Sequence, residues 1–246
     1  MDTQKAEQEF FDHTYDTNAR KSVGQVYSLI RNRNVAYEGQ IYSNVEGQRV
    51  LEYGCGIGSH SMAIARRGGL VTGIDISEVG IKMATEAAET AGVKGADYLV
   101  MDAMNMDFSD NTFDMVIGEG ILHHLDLDKS YSEISRVLKP GGQAIFMEPL
   151  GHNPAIALFR AATPKLRTDD EHPLLRSDLK LAKKYFGETK FQYFHLTSFA
   201  ALIFLKAPFF YGMVNFWDRV DAGLFKIMPP LGLLSWYCIM TMTKGE

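Results

Sequence analysis

The sequence predicts an α/β protein with a parallel sheet covered by helices on both faces. Three observations lead there. Short apolar runs alternate with segments whose apolar residues recur at helical spacing. The short runs are continuously apolar rather than alternating, as strands buried on both sides require. Glycine or a capping side chain punctuates the joints.

Taken in order, residues 4–37 read as mostly helical. The run QRVLEYG (48–54) ends at a glycine and predicts the first strand. Ser59 to Arg67 carries small and apolar residues at helical spacing and stops at Gly68-Gly69. Leu70 to Asp75 is a second buried-type strand. Ser77 is placed to cap a helix whose positions Ile81, Ala84, Ala88 and Ala91 share a face. Asp97 to Val100 and Phe113 to Gly118 predict strands three and four. Asp128 is expected to cap a helix carrying Tyr131, Ile134, Val137 and Leu138. Lys139-Pro140-Gly141-Gly142 should break it, with Gln143 to Pro149 as strand five.

The 246 residues suffice for one large domain with a core, and we expect a single one. The composition, 46% hydrophobic and 22% charged, excludes a disordered chain. A net charge of −5 argues against a broad nucleic-acid footprint. The two cysteines, Cys55 and Cys238, have neither metal spacing nor a disulfide framework. The polar, acidic start MDTQKAEQEFFDHTYD has no secretory pattern, so a cytoplasmic protein is expected.

Ligands of open parallel sheets bind outside the carboxyl ends of the strands, so the loops after each strand are where chemistry is expected. The first holds glycines at every second position in VLEYGCGIG: Gly54, Gly56 and Gly58. Such a turn lets a ligand approach bare backbone. A dinucleotide fingerprint would want Gly or Ala at position 59, where this chain has serine. Glu52, just before the turn, suits a cationic group better than a pyrophosphate. Asp75, closing the second strand, can accept both hydroxyls of a ribose. Asp102 follows the third strand and can accept from the exocyclic amine of adenine, with Ile76 and Met104 as apolar walls for the ring. A ribose, an adenine and a cationic tail together describe S-adenosylmethionine.

The pieces VLEYGCGIG, GIDIS, DAMNMDFSDNTFDMVIGEGILHHL and EISRVLKPGGQAIFMEP, spread in that order over residues 48–149, resemble the class I S-adenosylmethionine-dependent methyltransferases, in the type 11 small-molecule group. The resemblance implies a Rossmann-like, seven-stranded, mostly parallel sheet with an antiparallel last strand. It also implies that Glu52 and the loop Gly54, Cys55, Gly56 and Gly58 hold the methionine amino group. Asp75 would hold the ribose and Asp102 the adenine amine, with Ile76, Ala103 and Met104 beside the ring. Backbone around Glu119 would close over the methionine part. The organisation that follows is a helical lid (1–47), a cofactor-binding core (48–150) and substrate-side inserts (151–176 and 199–234). In the lid, Tyr15 or Arg20 is a candidate for the cofactor carboxylate. A surface helix packed by Phe10 and Phe11 is the simpler alternative.

A hydroxyl acceptor must lose a proton, and histidine is poised to take it near neutral pH. His123 and His124, after the fourth strand, and His152, after the fifth, are the candidates. His172 sits in a charged run with Arg167, Asp169, Asp170 and Glu171 that reads as a solvated, self-paired loop. No grouping has metal-ligand spacing, so no metal is expected.

Ser177 to Gly187 can supply a helix, Lys190 to Leu196 a sixth strand and Ser235 to Thr243 a seventh. The segment between the last two is too long for a hairpin and predicts an apolar, helical insert. Residues 199–217 approach spanning length, but Lys206, Pro208 and Asn215 interrupt them. The insert is expected to pack on its own core, to pair with a second copy, or to touch a membrane peripherally. With 151–176 it is expected to shape a pocket for a small, apolar or amphipathic acceptor. The sequence thus points to methyl transfer, with oxygen as the first acceptor atom and nitrogen or carbon as alternatives. A nicotinamide-dependent oxidoreductase, or an inactive cofactor-binding interaction protein, are the competing readings.

Overall fold

A computed structural model describes residue 8 and residues 31–163 and 171–246. Seven strands form one sheet: β1 Arg49–Tyr53, β2 Leu70–Asp75, β3 Ala96–Val100, β4 Phe113–Glu119, β5 Leu138–Pro149, β6 Glu188–Phe194 and β7 Tyr237–Thr243. Their spatial order is β3-β2-β1-β4-β5-β7-β6. All neighbours are parallel except β7, antiparallel to both β5 and β6. The helices are α1 Arg31–Ile41, α2 Ser59–Ala65, α3 Glu78–Thr90, α4 Leu127–Val137, α5 Pro154–Ala162, α6 Arg176–Leu181 and α7 Phe210–Ile227.

Strand side chains alternate between faces, and the buried residues divide accordingly. Leu51, Val116, Ala144 and Phe146 join Tyr131, Ile134 and Leu179 from α4 and α6 in one core. Val50, Met115, Ile117, Ile145 and Met147 join Tyr37, Ile41 and Ile64 from α1 and α2 in the other. This two-sided burial is why the central strands lack polar alternation.

The chain winds outward from β1 to β3, then returns to lay β4 on the other side of β1. The loops after β1 and β4 therefore part at a switch point, where a sheet of this kind opens a crevice. They still touch at the base: a Cβ on Gly54 would lie 2.8 Å from the Ile121 side chain.

Local differences from the sequence reading have local causes. Ser77 caps α3 as expected, accepting from Gly80 N at 2.9 Å, but Ala91 falls past the helix end and is exposed. Asp126, not Asp128, caps α4, because the helix starts at Leu127; Asp126 accepts from the N–H groups of Asp128 and Lys129. Asp128 instead pairs with Lys184 at 2.9 Å. The KPGG stretch belongs to β5 as a bulge: pairing with β4 jumps from Phe113–Leu138 to Met115–Gln143.

The late insert is helical, with 3-10 turns Ser198–Phe204 and Pro229–Leu234 around α7. It has a small core of its own, Ala201, Phe210 and Val214. Among the described residues no helix is long and apolar enough to cross a membrane. Both inserts meet over the sheet: Asn153 Nδ2 donates to Leu234 O at 2.7 Å, and Trp236 packs on Ile156 and Phe199.

Candidate active site

The glycine turn is shaped first by the fold. Gly54, Gly56 and Gly58 all have positive φ (73°, 50° and 72°), a region costly to side chains. Gly58 also faces Tyr98, whose ring would lie 2.6 Å from an added Cβ. Gly56 N donates to Asp75 Oδ2 at 2.8 Å, tying this loop to the next.

Two residues that the resemblance assigns to the ligand are turned inward. Cys55 is buried, its sulfur and Cβ lie against Gly73, and burial pushes its thiol pKa up. Its side chain packs the sheet, and what it can offer a ligand is backbone. Glu52 is also buried; Oε2 accepts from Ser61 N at 2.7 Å and from Ser61 Oγ. Burial raises its pKa, against the lowering effect of His60 and Ser61. This carboxylate fixes the start of α2, and through it the glycine turn.

Beyond the turn, a cleft opens at the carboxyl ends of β1, β2 and β4. Gly54, Asp75, Ile76, Asp102, Ala103, Met104, Glu119 and His124 line it, together with Met101, Gly120, Ile121 and Leu125. Most of the expected ligand residues therefore converge. Asp75 accepts from Gly56 N on one oxygen and Ser77 N on the other (2.8 and 2.9 Å). These bonds hold the carboxylate at the edge of the cleft, between the first two loops. Asp102 Oδ1 accepts from Met104 N at 2.8 Å, and Tyr53 OH donates to Ala103 O at 2.8 Å, which sets the turn beneath the apolar wall. Tyr15 and Arg20, like Phe10 and Phe11, lie outside the described residues.

Glu119 ends β4 in a network that sequence reasoning missed. Its Oε1 pairs with Arg33 at 2.9 Å and its Oε2 with His60 Nε2 at 3.2 Å. Burial would raise the Glu119 pKa, but the His60 hydrogen bond and the Arg33 charge win and hold it below the usual carboxylate range. The Arg33 guanidinium is 3% exposed and stacks 3.8 Å from the Tyr237 ring centre. Tyr42 OH meets His60 Nδ1 at 2.8 Å, and Tyr37 OH donates to Gly118 O. Burial works against protonation of His60, yet the Glu119 bond leaves its pKa raised. Helix α1 thus reaches the cleft through Glu119. Asp75 and Asp102 add two further carboxyl groups to the same cleft.

The three candidate bases separate. His123 is buried between two carboxylates: Nδ1 lies 2.7 Å from Glu148 Oε2 and Nε2 3.4 Å from Glu171 Oε1. Burial alone would lower its pKa, but the bonds to Glu148 and Glu171 raise it to about 9. This favours the protonated ring at neutral pH and weighs against the expected role of His123 as a base. Glu148, fully buried, also accepts from the Ile121 and Leu122 N–H groups at 3.0 and 2.9 Å. His152 is exposed, and its Nε2 accepts from Arg176 N at 3.0 Å; it is not among the residues lining the cleft. Its ring nitrogen is engaged at the start of α6. His124 alone of the three lines the cleft.

The charged run around His172 also reads differently. Glu171 is largely covered and pairs with Arg160 at 2.8 Å; burial opposes ionisation, but His123 and Arg160 hold its pKa near about 2. His172 N donates to His123 O at 2.8 Å. Arg167, Asp169 and Asp170 lie outside the described residues. Ligand atoms of His123, His124 and Glu171 come within 4.8 Å of one another, a grouping that the sequence spacing did not suggest. A protonated His123 and an Arg160-paired Glu171 make it a poor seat for a cation. Glu148 had one legible signal, an acid at the end of a fully apolar strand; Arg33 and His60 had none.

Residues 51–146 match a family model described as a methyltransferase domain. Over 119 residues the chain is 34% identical to a methyltransferase of Penicillium fellutanum, covering 47% of this chain and 36% of that protein. It is 45% identical over 98 residues to a cycloartenol-C-24-methyltransferase of rice (39% and 28%). It is 35% identical over 121 residues to a ubiquinone biosynthesis O-methyltransferase of Rhizobium leguminosarum (48% and 47%). The matches thus span less than half of each of these relatives. In fold, the chain is similar to a phosphoethanolamine N-methyltransferase of Haemonchus contortus solved with S-adenosylmethionine: TM-score 0.66, 20% identity, 96% of this chain and 60% of that one. It is also similar to a [4+2]-cyclase, with TM-score 0.59 and 21% identity over 87% and 80% of the two chains. Because the fold alone admits such different chemistries, the sequence match carries more weight, and it makes residues 51–146 similar to a methyltransferase domain.

Proposed function

We propose that the protein transfers a methyl group from S-adenosylmethionine to a hydroxyl of a small, largely apolar acceptor. The observation that carries this reading is the cleft itself: Asp75, Asp102 and Glu119 set around Ile76, Met101 and Met104, with His124 on the wall. Bound S-adenosylmethionine supplies an electrophilic methyl on a sulfonium centre. The chain's residues supply the rest. Asp75 accepts the ribose hydroxyls and Asp102 the adenine amine. Ile76 and Met104 cover the ring and exclude water. The surplus of carboxylates favours a cationic ligand over an anionic one. Alignment of acceptor and methyl is the main task and is worth about 7–11 kcal/mol in favourable cases. His124 takes the proton that the hydroxyl loses.

The acceptor enters from the insert side. There, Leu150, Ile156, Ala157 and Pro173 line an apolar hollow with Arg160 and His172. His123 joins the two regions, with Glu171 on one side and the Ile121–Leu125 wall on the other.

Calorimetry with S-adenosylmethionine and S-adenosylhomocysteine, followed by transfer of labelled methyl to a panel of phenols, aliphatic alcohols, amines and alkenes, tests both parts. Binding of both compounds and labelled ethers are expected. Absence of binding overturns the whole reading. Binding with label only in nitrogen or carbon products overturns the acceptor atom, and binding without turnover favours an interaction protein.

A further inference from the structure

Helix α7 presents an outward face with a composition unlike the rest of the molecule. Its two acids are turned inward. Asp221 is buried and accepts from the Leu196 and Thr197 N–H groups and from Thr197 Oγ1. Asp218 Oδ2 accepts from Asn32 Nδ2, and its other oxygen lies 3.3 Å from His195. Among the exposed residues of the helix, Gly212, Phe216, Arg219, Gly223, Lys226 and Ile227 form a stripe at helical spacing, flanked by Tyr211, Asn215 and Ala222, and none of these is a carboxylate. Phe216 is 53% and Ile227 83% exposed, and Phe209 and Met228 extend the stripe at either end at 54% and 53%. Arg219, Lys226 and the nearby exposed Lys206 have no ion pair among the described residues.

We infer that this face lies on an anionic phospholipid surface. A peripheral helix of this kind buries aromatic and aliphatic side chains at the headgroup boundary while cations flank them. The charge arrangement selects the occupant. The chain carries a net −5, yet this stripe is purely cationic. A second copy is a poor partner, because twofold pairing of the stripe would set Arg219 and Lys226 against their own equivalents. A spanning role is also the wrong geometry, since α7 is too short of apolar residues to cross. The inference stands apart from methyl transfer, because docking on lipid requires neither cofactor nor acceptor.

Vesicle co-sedimentation of the whole chain tests it, using phosphatidylcholine alone and phosphatidylcholine with phosphatidylglycerol. Binding is expected to the mixed vesicles, to weaken with added salt, and to be slight on phosphatidylcholine. Arg219→Glu with Lys226→Glu should weaken it at least thirtyfold, at about tenfold or less per cation removed plus the reversed charges. Phe216→Asn with Ile227→Asn should weaken it at constant charge. All four side chains are exposed, so unchanged circular dichroism and Tm are expected and exclude unfolding. No binding to the mixed vesicles overturns the inference, as does binding that the charge reversal leaves intact. A dimer in sedimentation equilibrium that the same substitutions abolish would give the face to a second copy instead.

Discussion

The His123 cluster makes a quantitative prediction about stability and pH. In the folded protein His123 has a pKa of about 9, against an ordinary 6.5. A gap of that size corresponds to ~3 kcal/mol of preference of the folded state for the protonated form. Because the folded value lies above the unfolded one, this stability is fully present below pH 6.5 and is lost as pH rises through about 9. Glu171 mirrors it at the acid end: its contribution is present above the usual carboxylate range and is lost as pH falls towards about 2. The two describe one interaction from either side and are not added. For a chain of this length ~3 kcal/mol amounts to about 6–12 °C in Tm. Urea unfolding at pH 6 and pH 9.5 checks it. Other groups titrate in that range, so the control is His123→Gln with Glu148→Gln, which replaces the charged pair by neutral amides. His123→Gln alone is less informative, since it strands the buried Glu148 carboxylate at a cost of about 3–5 kcal/mol. The double variant should lose most of the decline between pH 6.5 and 9. An equal decline in both proteins would refute a protonated His123, and with it the reason for excluding His123 as the base. Because the pair is buried, added salt should change the result little.

Three further outcomes follow from the site. Asp75→Ala removes a charged acceptor from both the ribose position and the Gly56 N–H, and should weaken S-adenosylmethionine binding about 10–100-fold by calorimetry; unchanged affinity counts against the ribose assignment. Gly58→Ala forces a side chain onto φ 72° and against the Tyr98 ring, and should cost about 1–3 kcal/mol in urea unfolding. Adding Tyr98→Ala should recover the steric part only, measured as the non-additivity of the pair. His124→Ala should lower kcat about 10²–10⁴-fold while cofactor Kd stays within a few-fold; a loss confined to Kd would make His124 a wall residue.

What the sequence disclosed and what it hid divide along a physical line. Strands buried on both faces must be apolar throughout, so their runs stand out, and strand ends mark the loops that face the crevice. That was enough to bring Gly54, Asp75, Asp102 and Glu119 to one cleft. Capping was harder: Asp126 and Asp128 are both good caps, and which one serves depends on a helix start that shifts by a residue. Protonation was out of reach. LHHL carries two chemically identical side chains at adjacent positions, and only their partners distinguish them. Those partners, Glu148 and Glu171, lie on a strand and a loop well downstream, and Glu119 meets Arg33 across 86 positions of chain. Local pattern registers neither distance nor burial, so a histidine held between two acids and one on the cleft wall look alike along the chain. The same blindness hid the place of Arg33, which is buried because Glu119 and the Tyr237 ring replace its water. The choice of His124 as base therefore rests on elimination by neighbours rather than on the histidine itself. If Arg176 N releases Nε2 when an acceptor enters the insert side, His152 becomes available as a second base. His152→Ala separates the cases. A helix-capping role costs stability and leaves kcat alone, whereas a fall in kcat at unchanged stability would return His152 to the reaction.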